Sequence, residues 1–183
     1  VMARLYLVRH GRASAGIAEN IDPGLDDLGR QQSQQAAERL SRLSPMPLFA
    51  SPLLRARQTA EPLQTLWAAD IRIEPRVAEI PFESTDLAAR SAWLQSIMPG
   101  RWSDLGAFWQ AWRSNILQCL LEQPCDTIYF SHFIAINAAV GHARSDDRLV
   151  VFRPDNASIT VLSNDGGKLA VVEMGGEAVT RVN

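Results

Sequence analysis

Two short apolar runs, Leu5-Tyr-Leu-Val-Arg9-His10 and Thr127-Ile-Tyr-Phe-Ser131-His132, each end on a histidine, and they restrict the fold more tightly than any other feature. Runs of this length, apolar and aromatic and flanked by helix-like segments, mark strands buried on both faces of a parallel sheet. Open α/β sheets bind ligands just beyond the carboxyl ends of such strands. Side by side, the two runs would set His10 and His132 facing each other across that crevice. Arg9 adjoins the first histidine, and a third apolar run, 47–50, leads into Ser51-Pro-Leu-Leu-Arg55. Two histidines and two arginines at one sheet edge point to a site for a dianion, most simply a phosphoryl group.

The remaining pattern fits one α/β domain over 1–183. It predicts a mostly parallel central sheet with helices on both faces and an antiparallel edge strand. Residues 10–25, with Gly11, Gly16, Pro23 and Gly24, read as a loop. Asp26 or Asp27 then caps a helix to about Leu43, with Leu28, Ala36, Leu40 and Leu43 on its apolar face. Ser51 is expected to cap the next helix, which Pro52 suits as a first residue. A short strand near 71–73 and two helices broken around Pro99-Gly100 follow. Later strands are expected near 149–152, 157–162 and 168–173, with Asn164-Asp-Gly-Gly167 as a hairpin turn.

The formal net charge of -2 gives no bulk attraction to nucleic acid or to an anionic membrane. No run approaches the ~20 apolar residues of a membrane span, and no signal-like segment precedes the first strand, so a cytoplasmic protein is expected. Val1 ahead of Met2 reads as a remnant before a natural start. Cys119 and Cys125 lack companion ligands for zinc and read as reduced thiols.

In Arg9-His10-Gly11, a neutral ring nitrogen of His10 can attack phosphorus. Neighbouring arginines help by disfavouring a second positive charge, and Gly11 lets backbone approach phosphoryl oxygens. Arg55 can point back to the sheet edge and hold two oxygens with its guanidinium fork. Arg57 faces elsewhere and reads as a solvated charge. His132 is placed to stabilise charge on a transferring group, whereas His142 reads as an exposed loop residue. A leaving alkoxide needs a proton donor; Glu79 and Glu83 are both candidates, and spacing does not choose between them. Four of the five tryptophans, Trp93, Trp102, Trp109 and Trp112, read as core, with some rings free to line a pocket for an organic leaving group.

Taken in order, Leu7-Val-Arg9-His10-Gly11, Leu25-Asp-Asp-Leu-Gly29, Ser51-Pro-Leu-Leu-Arg55-Ala-Arg-Gln58-Thr59-Ala60, Phe130-Ser131-His132 and Asn156-Ala-Ser-Ile-Thr160 resemble the histidine phosphatase superfamily, which includes the phosphoglycerate mutases. The resemblance implies phosphoryl transfer with no metal or other cofactor. It makes His10 the phosphorylated nucleophile and Arg9, Arg55 and His132 the cationic phosphate pocket. Glu79 stands at the family's usual position for the acid and is ranked above Glu83. Substrate contacts are expected from Arg9, Gly11, Arg12, Ser14 and Arg55.

The chain departs from the family pattern in three places. Arg12-Ala13-Ser14 resembles a phosphatase branch, and Arg12 adds a cation that favours a substrate with a second negative group. Gly16 stands where the mutases place an asparagine. Phe133 follows His132 where glycine is common, which makes the pocket floor bulkier. The expectation is a phosphomonoester hydrolase acting on a small phosphorylated substrate, with a phosphoprotein as a variant. A phosphomutase and a non-catalytic phospho-ligand binding module are the alternatives. Oligomeric state is left open.

Overall fold

The computed structural model describes residues 2–178. Its centre is a pair of parallel strands, β1 (Met2–Arg9) and β4 (Thr127–Ser131), joined in register from Leu5 opposite Thr127 to Arg9 opposite Ser131. β2 (Leu48–Ala50) pairs parallel to the far side of β4, and β3 (Ile71–Ile73) pairs parallel to β2. On the other side, β5 (Ile159–Asp165) runs antiparallel to β1 and β6 (Lys168–Glu173) antiparallel to β5. The sheet order is β3-β2-β4-β1-β5-β6. The expected antiparallel edge is therefore a two-stranded hairpin, turned at Gly166 and Gly167. Both have positive φ (59° and 87°), the twist that a two-residue hairpin turn requires.

Burial follows the two-residue period of a strand. Tyr6, Val8, Ile128 and Phe130 face α1 (Asp27–Leu40) and α2 (Leu54–Trp67) in one apolar cluster. Leu5, Leu7 and Tyr129 face α4 (Ala107–Leu121) and α5 (Phe133–Ala143) in the other, with Leu94 of α3 (Leu87–Ile97) packed there. None of the helices among the described residues is long and apolar enough to cross a membrane.

Several local expectations are corrected. Leu28 is exposed, whereas Ala36 and Leu40 face inward as expected, joined by Gly29, Ser33 and Ala37. Small residues suit this face because a Cβ on Gly29 would collide with the Arg12 backbone. Ser51 does not cap α2. The helix starts at Leu54, whose N–H donates to Asp22 Oδ1 at 2.8 Å, and this frees the serine for His132. Residues 149–152 form no strand, because the Val151 and Phe152 amides donate to the side chain of Asn137 rather than to a neighbouring strand. His142 lies in the last turn of α5, not in a loop, although it is exposed as expected. Cys119 is buried, Cys125 exposed, and both are free.

Candidate active site

The register of β1 and β4 puts His10 and His132 one residue past the ends of adjacent strands, with ring centroids 5.2 Å apart. His10 is 8% exposed and His132 fully buried. The backbone of His10 is fixed on both sides. Its N–H donates to the Ser131 carbonyl at 3.1 Å, and its carbonyl accepts from Ala157 N and Asn156 Nδ2, each at 3.2 Å. Ala157 holds this turn with a left-handed φ of 56°, an unusual conformation for a residue with a Cβ.

The hydrogen bonds assign the ring nitrogens. His10 Nδ1 lies 2.7 Å from the Gly11 carbonyl, which can only accept, so Nδ1 carries the proton. Nε2 is left with its lone pair, and Arg55 Nε–H donates to it at 3.3 Å. Burial, then Arg55 and Arg9, hold His10 well below its ordinary pKa, so the ring stays neutral. The same causes keep His132 neutral, with burial again the largest and His10 and Arg90 adding to the effect. On His132, Nε2 meets Ser51 Oγ at 2.7 Å, and that oxygen already accepts from Leu53 N at 3.2 Å. Nδ1 of His132 is buried with no partner, and it is a donor in the tautomer in which the serine proton is given to Nε2.

Arg9 and Arg55 complete the cationic wall, 6% and 7% exposed. Burial lowers the Arg9 pKa to about 10 and lowers that of Arg55, yet both remain cations near neutrality. Arg55 stands in the first turn of α2, 3.9 Å from Asp22. Opposite the arginines is Glu79. Its carboxylate accepts from Ile134 N at 3.1 Å and Ala135 N at 3.2 Å, the first amides of α5, and from its own neighbour Ile80 N at 3.0 Å. Helix N-termini favour such an anion. Glu83 is exposed and lines no part of the site.

Arg9, His10, Arg55 and Glu79 line an inner chamber of about 50 Å³ with Arg90 and Phe133 among others, whereas the fully buried His132 is not part of its lining. The chamber opens into a cleft of about 1170 Å³, walled by residues 12–19, by Ser91 and Gln95 of α3, by Met98 just after it, and by Asp155 and Asn156. Arg12 and Ser14 border this outer cleft, not the chamber, and Arg12 Nε is paired with Asp26 at 2.5 Å. Gly11 borders neither: its amide donates to Thr59 Oγ1 at 3.0 Å, and its missing Cβ makes room for the Gly29 carbonyl. The tryptophans line neither space. Trp102 is wholly buried, and Trp93 and Trp109 stack on each other beside Phe82. Gly16 borders the outer cleft with open space where a side chain would stand.

Two contributors, Arg90 and Pro154, escaped the sequence reading, and a third, Phe133, was read there only as bulk in the pocket floor. Arg90 of α3 enters the chamber, and its guanidinium makes no hydrogen bond or ion pair among the described residues. Pro154 accepts from Arg9 Nη1 at 2.8 Å. The ring of Phe133 lies 5.2 Å from Arg9 Cζ. An isolated arginine on a weakly amphipathic helix and a backbone carbonyl carry no local sequence signal.

Known proteins resemble this chain in sequence and in fold. The family profile of the histidine phosphatase superfamily (branch 1) matches residues 5–176. The chain is 32% identical over 110 residues to a Proteus mirabilis protein named "Probable phosphoglycerate mutase GpmB", covering 54% of this chain and 51% of that one. It is 35% identical over 80 residues to the glucosyl-3-phosphoglycerate phosphatase of Mycolicibacterium vanbaalenii, covering 42% and 36%. The chain thus spans about half or less of these curated relatives. Phosphoserine phosphatase from Entamoeba histolytica, solved with 3-phosphoglyceric acid, superposes with a TM-score of 0.72 over 95% of this chain and 97% of its own, at 18% identity. The chain belongs to the histidine phosphatase superfamily.

Proposed function

We propose that the chain is a phosphomonoester hydrolase that works through a phosphohistidine on His10 and needs no metal. The observation that carries this reading is the polarity of His10: Nδ1–H is anchored to the Gly11 carbonyl, and Nε2 keeps its lone pair in a cationic chamber. Nε2 attacks phosphorus as the ester P–O bond breaks. Arg9 and Arg55 hold the phosphoryl oxygens as charge redistributes over them, joined by His132 in the tautomer whose unpartnered Nδ1 carries the proton. Glu79, in its acid form, gives a proton to the leaving oxygen. Its carboxylate then takes a proton from water, the water oxygen attacks phosphorus, and the P–N bond breaks to restore His10. The wide outer cleft supports water as the acceptor.

Arg12 is already neutralised by Asp26, so it loses the role of reading a second anion. Arg90, with no hydrogen bond or ion pair from its guanidinium among the described residues and beside the phosphoryl site, takes that role. The substrate class is therefore a phosphomonoester with a further anionic group close to the ester oxygen. The names of the relatives agree, since phosphoglycerate and glucosyl phosphoglycerate both carry a carboxylate near the phosphoryl group.

A phosphomutase is the second reading, favoured by the name of the Proteus relative. Hydrolysis of p-nitrophenyl phosphate in EDTA, wild type beside His10→Ala, tests the first. Turnover to inorganic phosphate is expected, with a loss of roughly 10⁴-fold or more in a folded His10→Ala. A variant keeping more than a few per cent of activity would remove His10 as nucleophile. Isomerisation of a phosphorylated hydroxy acid faster than release of phosphate would replace the hydrolase by the mutase.

A further inference from the structure

We propose that Phe133 is a positioning residue that fixes the Arg9 guanidinium for the phosphoryl group; this rests on the reading of Arg9 as a phosphoryl ligand. A guanidinium has five N–H donors. Within the fold Arg9 uses Nη1, on the Pro154 carbonyl at 2.8 Å, while Nε is buried with no partner. One hydrogen bond and an unpartnered Nε leave the fold's own bonds fixing only one end of a guanidinium that is 6% exposed at the wall of the chamber. A second support must then hold the rest of it in place.

Phe133 does so. It is the first residue of α5, is 3% exposed, and sets its ring 5.2 Å from Arg9 Cζ, inside the range of a cation–π contact. The two supports of Arg9 are tied to one helix through Asn137, which is fully buried. Asn137 Nδ2 donates to the Phe133 carbonyl at 3.0 Å. Its Oδ1 accepts from Val151 N at 2.8 Å and Phe152 N at 3.1 Å, anchoring the segment that runs to Pro154. Ring, carbonyl and helix thus form one frame around the guanidinium. A small residue after His132 would leave that face of Arg9 free to hydrate and move, and an anion would have to reorder it on binding.

Titration calorimetry of orthovanadate and of inorganic phosphate tests this in wild type, Phe133→Leu and Phe133→Tyr, and in Arg9→Ala with and without Phe133→Leu. Leucine keeps apolar bulk but loses the aromatic face, whereas tyrosine keeps it. Phe133→Leu is expected to weaken both anions about five- to tenfold, and Phe133→Tyr to stay within about twofold of wild type. In the Arg9→Ala background the leucine should cost nothing further. Unchanged binding by Phe133→Leu, equal losses from leucine and tyrosine, or a loss that persists without Arg9 would each overturn the role. A wild type that binds neither anion would overturn the phosphoryl site and this role with it. Anion binding without turnover would overturn only the hydrolase reading, and the comparison of variants would still decide for or against Phe133.

Discussion

The inner chamber and the outer cleft adjoin at His10 and Arg9 but are built by different means. The chamber is set by strand register. His10 and His132 follow paired residues of β1 and β4, Arg55 follows β2, and Glu79 is held by the first amides of α5. Nearly every polar atom there is bonded or held open in a buried position. The cleft is walled by the loop 12–19, by α3 and by the 155–156 turn, and its charges are spent locally, Arg12 on Asp26 and Glu19 on the Gly16 amide. On the proposed function, sheet geometry fixes where bonds break, and the surrounding segments decide what is attached to the phosphoryl group. Changes to the groups at the strand ends should affect all substrates, and changes to what α3 and the loops bring, Arg90 included, should sort them.

The largest effect beyond His10 is expected at Glu79. Glu79→Gln should slow esters with poor leaving groups by about 10²–10⁴-fold, and p-nitrophenyl phosphate, whose leaving group needs little protonation, far less. Equal losses on both ester types would show that Glu79 holds structure at α5 rather than transferring a proton. Next comes Arg55→Ala, which removes a buried charged donor worth about 1.5–3 kcal/mol. Vanadate inhibition should weaken by roughly 10- to 100-fold, whatever the substrate. Inhibition that did not change would place Arg55 outside the phosphoryl site and blur the division between chamber and cleft.

These chamber residues were legible because strand ends in an open α/β sheet are where ligands bind. Two buried runs ending in histidine therefore announced their own meeting point, and Arg55 was within reach by its distance from the end of β2. Glu79 was legible only as one of a pair. What separates it from Glu83 is the N-terminus of α5, a contact between segments far apart in the chain. The same limit hid Ser51, read as a helix cap although Asp22 serves α2 and the serine serves His132. It also produced a strand at 149–152, where apolar residues satisfy their amides on a side chain. Arg12 and Arg90 show it most plainly. Both are ordinary arginines in the sequence, and only tertiary structure reveals that one is neutralised and the other is free.

The smallest expected effect sharpens the boundary itself. Arg90→Ala should lower kcat/KM about tenfold for a phosphomonoester bearing a nearby carboxylate, such as phosphoserine, the loss fitting one charge-assisted contact. It should change p-nitrophenyl phosphate little. Equal losses on both would make Arg90 a ligand of the phosphoryl group, and the line between chemistry and selectivity would move outward.

The central claim is that His10 Nε2 takes the phosphoryl group. Rapid acid-free quenching of wild-type enzyme with labelled p-nitrophenyl phosphate, followed by peptide mapping, tests it most directly. An acid-labile, alkali-stable phosphate on His10 is expected, forming and decaying fast enough to lie on the path to inorganic phosphate. Steady turnover with no label on His10, or with label on another residue, would contradict it.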